Sequence, residues 1–371
     1  MSYDVAVVGA GIVGAACAYY LSSEGLSVAI IDAKGIASGT TAAGMGHIVV
    51  MDDSQAQLAL TRYSQELWSH LAPELPKQCE FENCGTIWVA ADENEMKEVH
   101  RKRSLYAEYG LQTEILDTAE LSDAEPNLRP GLAGGLLVPG DKVVYQMSAT
   151  AFLIQRAVEH GAALHCGKRA VAIFAGGVRL ENGDAINARF VVNAAGINAP
   201  ALSPRLTIAP RKGHLVVTDR YPNFARHQIV ELGYLRSAHG NASSSVAFNV
   251  QPRATGQVII GSSRQFGIND NGIDIDIVRR MTTRAFEYMP RLKTLSAIRV
   301  WTGSRPATPD NLPYIGRSPN SQDVFIAAGH EGLGITTSLG TGQIIADLIT
   351  GREPAIPVEP YSPARIDAPA Y

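Results

Sequence analysis

Short β-branched runs that enter glycine-rich loops mark both ends of the 371-residue chain. Near the N-terminus, Tyr3 to Val8 (Y-D-V-A-V-V) predicts a buried parallel strand, because consecutive apolar positions need cover on both faces. Gly9-Ala10-Gly11-Ile12-Val13-Gly14 follows at once, and a helix-compatible stretch then runs to a stop at Gly25. A second strand, Ser27 to Ile31, delivers Asp32 at its end. Leu60, Tyr63, Leu67 and Leu71 recur at helical spacing, a stripe that predicts a core-facing helix. Met147 to His160 reads as a helix stopped by Gly161, with short strands at 163–166, 169–174 and 178–180 and a turn at Asn182-Gly183. Phe190-Val191-Val192-Asn193 then enters Ala194-Ala195-Gly196. Farther on, a strand is predicted at 257–260 and a helix at 275–289. Asp323 to Ala328 predicts a last strand, which opens into Gly329-His330-Glu331-Gly332-Leu333-Gly334-Ile335-Thr336-Thr337 and an apolar helical stretch to Gly351.

The first glycine loop carries chemistry. A G-x-G-x-x-G between a strand and a helix, with an acidic residue about 20 positions on, is a dinucleotide-binding arrangement. Gly9 permits the tight turn, Gly11 lets a pyrophosphate approach the backbone, and Gly14 allows the helix to pack on the strand. The amides at the helix start favour phosphate charge. Asp32 can accept from the ribose hydroxyls and would repel a 2′-phosphate, which disfavours NADP. An NAD dehydrogenase would continue in alternating strands and helices, whereas here a small-residue loop, 35–47, follows. Such a loop offers amides and hydroxyls to a longer cofactor, or serves as simple linkage. The closing strand, glycine loop and helix would aim a second positive helix end at a ligand, where a reduced flavin carries negative charge.

Composition narrows the class. At 46% hydrophobic and 18% charged the chain predicts a large interior, and its length fits two domains at about 150 residues each. A net charge of −4 argues against a nucleic-acid partner. Cys17, Cys79, Cys84 and Cys166 form no C-x-x-C pair, so neither a disulfide framework nor a metal site is expected. No signal-type or membrane-spanning stretch is visible, which predicts a cytoplasmic protein. The run Arg101-Lys102-Arg103 reads as a solvated helix face.

The order of Y-D-V-A-V-V-G-A-G-I-V-G, S-G-T-T-A-A-G, V-V-N-A-A-G, P-R-K-G-H at 210–214, G-S-R-P-A-T-P-D-N-L-P-Y-I-G at 303–316 and G-H-E-G-L-G-I-T at 329–336 resembles the D-amino-acid oxidase family of FAD amine oxidoreductases over nearly the whole chain. Within it, G-M-G-H-I-V-V-M-D-D at 44–53 is similar to the catalytic β subunits of dye-linked dehydrogenases, a branch that includes D-hydroxyproline and L-proline dehydrogenases, opine oxidases and cyanide-forming glycine oxidoreductases. The resemblance implies an α/β fold with a discontinuous FAD-binding Rossmann-like domain (1–79, 142–208 and 301–371) and an antiparallel-sheet substrate domain (80–141 and 209–300). It also implies oxidation of an amino or imino acid, with cis-4-hydroxy-D-proline as the first candidate and, as alternatives, L-proline-, glycine-, opine- or sarcosine-type oxidation or a non-catalytic FAD electron-transfer subunit. Partners would be further subunits carrying an iron–sulfur centre or a second flavin, which could hold the protein at the periphery of an inner membrane. This chain has no cysteine cluster for such a centre. Some relatives attach FAD through a His where Thr41 stands, and others through a Cys that 301–310 lacks, so non-covalent FAD is implied. Leu333 and Thr336 replace the His and Lys of the sarcosine-oxidase branch, whose oxygen chemistry is therefore not expected.

The implied FAD contacts are Gly9, Gly11, Ile12, Val13, Gly14, Asp32, Ala33, Lys34, Gly39, Thr40, Thr41, Gly44, Met45, Gly46, His47, Val171, Ala195, Gly196, Gly303, Arg305, Gly329, His330, Gly332, Leu333, Gly334, Ile335 and Thr336. The resemblance places Arg305 over the flavin, and its planar guanidinium suits both oxygens of a substrate carboxylate. Hydride transfer from a neutral amine needs orientation more than acid–base machinery. His47 can contact flavin or substrate or serve the loop, and His330 and Glu331 can steer a proton or cap the terminal helix. Tyr234 and Phe248 are either pocket wall or core, and Trp301 is expected in the core.

Overall fold

A computed structural model describes residues 2–233, 244–268 and 270–367. Tyr234 lies outside the described residues. The chain divides into two compact units, one of 1–79, 145–210 and 304–371, the other of 80–144 and 211–303.

In the first unit the strands stand in the order 314–317, 324–328, 185–193, 2–8, 28–32, 163–166. The ladders from 324–328 to 163–166 are parallel, and 314–317 runs antiparallel on the edge. Val5 to Val8 are buried at every position, as a parallel strand covered on both faces requires. A hairpin of 170–174 and 177–180 adds to strand 185–193. Helix 12–23 leaves the first strand, and helix 338–350 leaves strand 324–328. The two helices touch through small residues: a Cβ on Gly342 would stand 2.6 Å from the Ala16 carbonyl carbon. That close approach draws the two glycine loops at their starts into one region.

Helix 55–71 buries Leu58, Leu60, Thr61, Trp68 and Leu71, while Tyr63 and Leu67 are only half-buried, so the buried face is rotated from the apolar stripe. Its N-cap Ser54 accepts from the Gln57 amide.

The second unit is built on a sheet ordered 297–307, 209–218, 258–266, 244–252, 228–231, 86–90, 134–138, 114–116. Five of its ladders are antiparallel, while 228–231 runs parallel to 86–90. One face (Ile87, Val89, Ile229, Phe248, Val250, Ile260) packs on Met281, Ala285 and Tyr288 of helix 275–288. Phe248 stacks on Tyr288 at 4.6 Å and belongs to this core. The opposite face holds Thr86, Gln228 and Asn249, all buried.

Three expectations are corrected. Lys102 is not solvated: it is 0% exposed, on the same face of helix 93–108 as Val99 and Tyr106, with its ammonium 4.6 Å from the centre of the Trp88 ring. Trp301 is half-exposed beside Arg299 rather than in the core. The strand predicted at 257–260 extends over 258–266, because polar Ser262, Ser263, Arg264 and Gln265 continue it in buried positions.

Candidate cofactor and substrate site

The site grows from the end of strand 2–8. Gly9 has φ +116°, and a Cβ there would overlap the Ala194 carbonyl oxygen. A Cβ on Gly14 would overlap the carbonyl oxygen of Gly9 itself, so both positions need glycine for space. Helix 12–23 starts after Gly11, which has no side chain to cap it, and its first turn has no acidic residue. Thr41 supplies a partner instead: its hydroxyl accepts from the Ile12 amide at 3.0 Å. With Ile12 taken by Thr41, the next amides of the first turn remain for a phosphate.

Asp32 closes the second strand. Its Oδ2 accepts from the Ala10 amide at 2.8 Å, and its Oδ1 from Lys34 at 2.8 Å and Gly35 at 3.0 Å. The carboxylate thus shapes the glycine loop, and a carboxylate has about four lone-pair sites, so capacity for ribose hydroxyls remains. Ala33 and Lys34 follow it directly. The Lys168 amide donates to the Asp32 carbonyl at 2.9 Å, just before the strand of Val171, which is 44% exposed. Across the first strand, the Ala195 amide donates to Asn193 Oδ1 at 3.3 Å, and Gly196 opens a short turn.

The loop 39–48 is tied down along its length. Thr40 Oγ1 donates to the Ser304 carbonyl at 2.8 Å, which fixes it against the residue before Arg305. The Gly44 carbonyl accepts from Gln146 at 2.7 Å, and a Cβ there would stand 2.7 Å from Ile335 Cδ1. Met45 and Gly46 lead to His47, whose carbonyl accepts from Thr336 Oγ1 at 2.9 Å. The same Thr336 hydroxyl receives the Val49 amide at 3.4 Å. His47 Nε2 is buried without a hydrogen-bond partner. Burial, and then the charge of Arg305, pushes the His47 pKa down to about 4, so the ring is neutral.

The closing loop completes the arrangement. The Glu331 amide donates to the Pro306 carbonyl at 3.0 Å, and Arg305 lies with Cδ and Nε 3.7 Å from where a Gly332 Cβ would be. Gly303 ends the second unit, so the first unit holds Arg305 itself. Arg305 is half-buried. Gly334 reaches Val13, whose Cγ2 would lie 3.9 Å from a Cβ at that glycine. Trp68 Nε1 donates to the carbonyls of Ile335 (3.3 Å) and Thr336 (3.1 Å). Gly329 and Leu333 complete the turn, with the Leu333 amide on the His330 carbonyl at 3.0 Å.

Two expected helpers are occupied within the loop. His330 is buried with Nε2 3.0 Å from Thr341 Oγ1, and burial lowers its pKa to about 3. The Glu331 carboxylate accepts from the Gly332 amide. These bonds are of the capping and loop-bonding kind. The terminal helix begins at Ser338, after the loop rather than inside it.

Sequence reading passed over Trp68, Gln146 and Thr341, which hold the loops from outside any motif. The tryptophan N–H in an otherwise apolar helical stripe is the only local signal for the first. It also passed over the second unit's polar face, where Thr86 Oγ1, Gln228 Oε1 and Asn249 Oδ1 are buried without partners.

The residues fit FAD: a helix start whose amides beyond Ile12 remain for a phosphate, a carboxylate with a lone pair left for a ribose hydroxyl, and glycines that leave the backbone open between them. Residues 4–348 match the family model of FAD-dependent oxidoreductases designated DAO. Glycine oxidase of Geobacillus kaustophilus is 29% identical over 98% of this chain and 97% of its own. Its crystal structure superposes with a TM-score of 0.88 at 28% identity, covering 97% of this chain and 98% of that one. Hydrogen cyanide synthase subunit HcnC of Pseudomonas aeruginosa is 26% identical over 98% of this chain and 96% of its own. L-proline dehydrogenase from P. horikoshii gives a TM-score of 0.89 at 25% identity, with 99% and 98% covered.

Proposed function

The chain belongs to the DAO family of FAD-dependent oxidoreductases, and on that premise we propose that it oxidises the α-carbon–nitrogen bond of a cyclic imino acid, with cis-4-hydroxy-D-proline as substrate and the cyclic imine 1-pyrroline-4-hydroxy-2-carboxylate as product. Arg305, whose side chain runs against Gly332 of the closing glycine loop, is the observation that carries the reading. When bound, FAD would supply a two-electron acceptor for the hydride that leaves the α-carbon, and the protonated imine left behind would release its N–H proton to solvent to give the cyclic imine.

The chain's own residues bind and orient. Gly9, Gly11 and the amides of Val13 and Gly14 would take the pyrophosphate, with the Ile12 amide held by Thr41, and Asp32 would take the ribose. The loops 39–48 and 329–336 hold the isoalloxazine end. Arg305 pairs with the substrate carboxylate, and a planar fork on two oxygens fixes the rotation of the adjacent carbon. Thr41 stands where attachment through His would occur, so FAD is held without a covalent bond.

The second unit is the substrate domain in this reading, and the protein is the catalytic subunit of a dye-linked dehydrogenase. The description of HcnC as a subunit supports an assembly; the partner in this reading is an iron–sulfur or second flavin subunit. The full-length likeness to glycine oxidase supports a second substrate reading, glycine or sarcosine.

Anaerobic titration of the FAD-loaded protein with cis-4-hydroxy-D-proline, D-proline, L-proline, glycine and sarcosine tests these readings. Bleaching of the flavin band by the hydroxyproline at the lowest concentration is expected. A flavin that no member of the panel bleaches overturns the proposal.

A further inference from the structure

In the 39–48 loop His47 is half-buried, and its Nε2 is buried and unpaired, while its backbone carbonyl is anchored by Thr336. A buried polar atom without a partner is costly, so it calls for a water, an ion or a ligand to satisfy it. The neighbourhood says which ligand. The loop 39–48 is bonded through Thr40 to the residue before Arg305, and the loop 329–337 meets both the His47 carbonyl, through Thr336, and the Arg305 side chain, over Gly332. Burial, and after it the Arg305 charge, hold the His47 ring neutral.

An amino acid presents its carboxylate and its nitrogen one carbon apart. If Arg305 takes the carboxylate, a step that rests on the function proposed above, the neighbouring acceptor faces the nitrogen. We infer that His47 Nε2 accepts a hydrogen bond from the N–H of the substrate, which makes His47 the residue that selects primary and secondary amino acids against tertiary ones. The neutral imidazole is the right partner for this task. It offers a lone pair without a second positive charge beside Arg305, and it leaves the nitrogen's own lone pair directed elsewhere. A carboxylate at this position would instead form an ion pair with Arg305 and weaken the clamp.

The test uses the FAD-loaded protein, the panel substrate that reduces the flavin fastest, and its N-methyl derivative, the latter measured as substrate or as competitive inhibitor. In the wild type the N-methyl compound should bind more weakly. His47→Leu should raise KM for the N–H substrate by about 10- to 100-fold, as loss of a hydrogen bond to a charged or polar group predicts, with FAD retained and its visible spectrum unchanged. The same substitution should leave binding of the N-methyl compound unaltered, and His47→Asn should recover part of the loss. Equal effects of His47→Leu on both compounds, or none on either, overturn the inference. Loss of FAD or a shifted flavin spectrum in both variants also overturns it, because the nitrogen then serves the cofactor. Failure of the function proposed above has a different signature: no amino or imino acid reduces the wild-type flavin.

Discussion

The Thr41 hydroxyl stands 3.0 Å from the amide of Ile12 and caps the helix that begins the cofactor site. The bond joins a loop after the second strand to the first glycine loop, and it replaces the cap that Gly11 lacks. Side-chain caps are worth about 1 kcal/mol, and here the capped amide adjoins those left for the phosphate.

Thr41→Val should therefore weaken FAD binding by roughly tenfold, the equivalent of about 1.4 kcal/mol. Quenching of flavin fluorescence on titrating apoprotein gives the affinity. In the same preparation, acid precipitation of wild-type protein should leave all of the flavin in the supernatant, and a yellow pellet would contradict non-covalent attachment.

Two glycines of the same site should respond to different degrees. Gly14→Ala forces a methyl group into the Gly9 carbonyl and should cost about 3 kcal/mol of stability together with FAD retention. Gly39→Ala meets nothing within 4 Å, so its cost is confined to a backbone (φ −100°, ψ −135°) that alanine rarely adopts and should be about 1 kcal/mol, well below that of Gly14→Ala, as thermal unfolding would read.

Substitution of Arg305 should separate cofactor from substrate. Arg305→Ala should raise KM by at least about 100-fold, and Arg305→Lys by less, because an ammonium keeps the charge but not the two-pronged geometry. FAD content should remain stoichiometric in both, as read from the flavin band. An unaltered KM in the Ala variant would remove the carboxylate clamp.

Stability should fall on the acid side of neutrality. His330 is held neutral by burial, with a pKa of about 3 against about 6.5 for an unfolded histidine. Below that higher value the unfolded chain binds a proton that the fold refuses, so the free energy of unfolding decreases as pH falls, by about 1.4 kcal/mol per pH unit. The loss is complete only near the folded value, and above about pH 6.5 the group contributes no slope. Unfolding temperatures measured between about pH 4 and pH 7 should show a shallower acid decline for His330→Asn than for the wild type. Identical slopes would mean that the ring takes up its proton in the fold.

Much of the cofactor half was legible because its signals are local. Gly9 and Gly14 are required by atoms of the same turn and the adjoining strand, and Asp32 bonds to amides only two and three residues ahead as well as to Ala10. Lys102 was misread because its charge and its basic neighbours outweighed its position. On helix 93–108 it falls three residues after Val99 and four before Tyr106, on the buried stripe, where the Trp88 ring receives the ammonium. The polar residues of strand 258–266 hid its second half for a related reason, since a buried polar strand has no apolar alternation to reveal it.

By itself the sequence determined the strand, glycine loop and helix at each end, since those conformations are set by covalent neighbours and by which residues tolerate a tight turn. Only the tertiary structure decided that Thr41 caps Ile12, that Trp68 and Thr336 pin the two loops, and that Arg305 acts on His47. Residues so far apart in the chain meet through packing, above all through the small-residue contact of helices 12–23 and 338–350, and no local pattern encodes that contact.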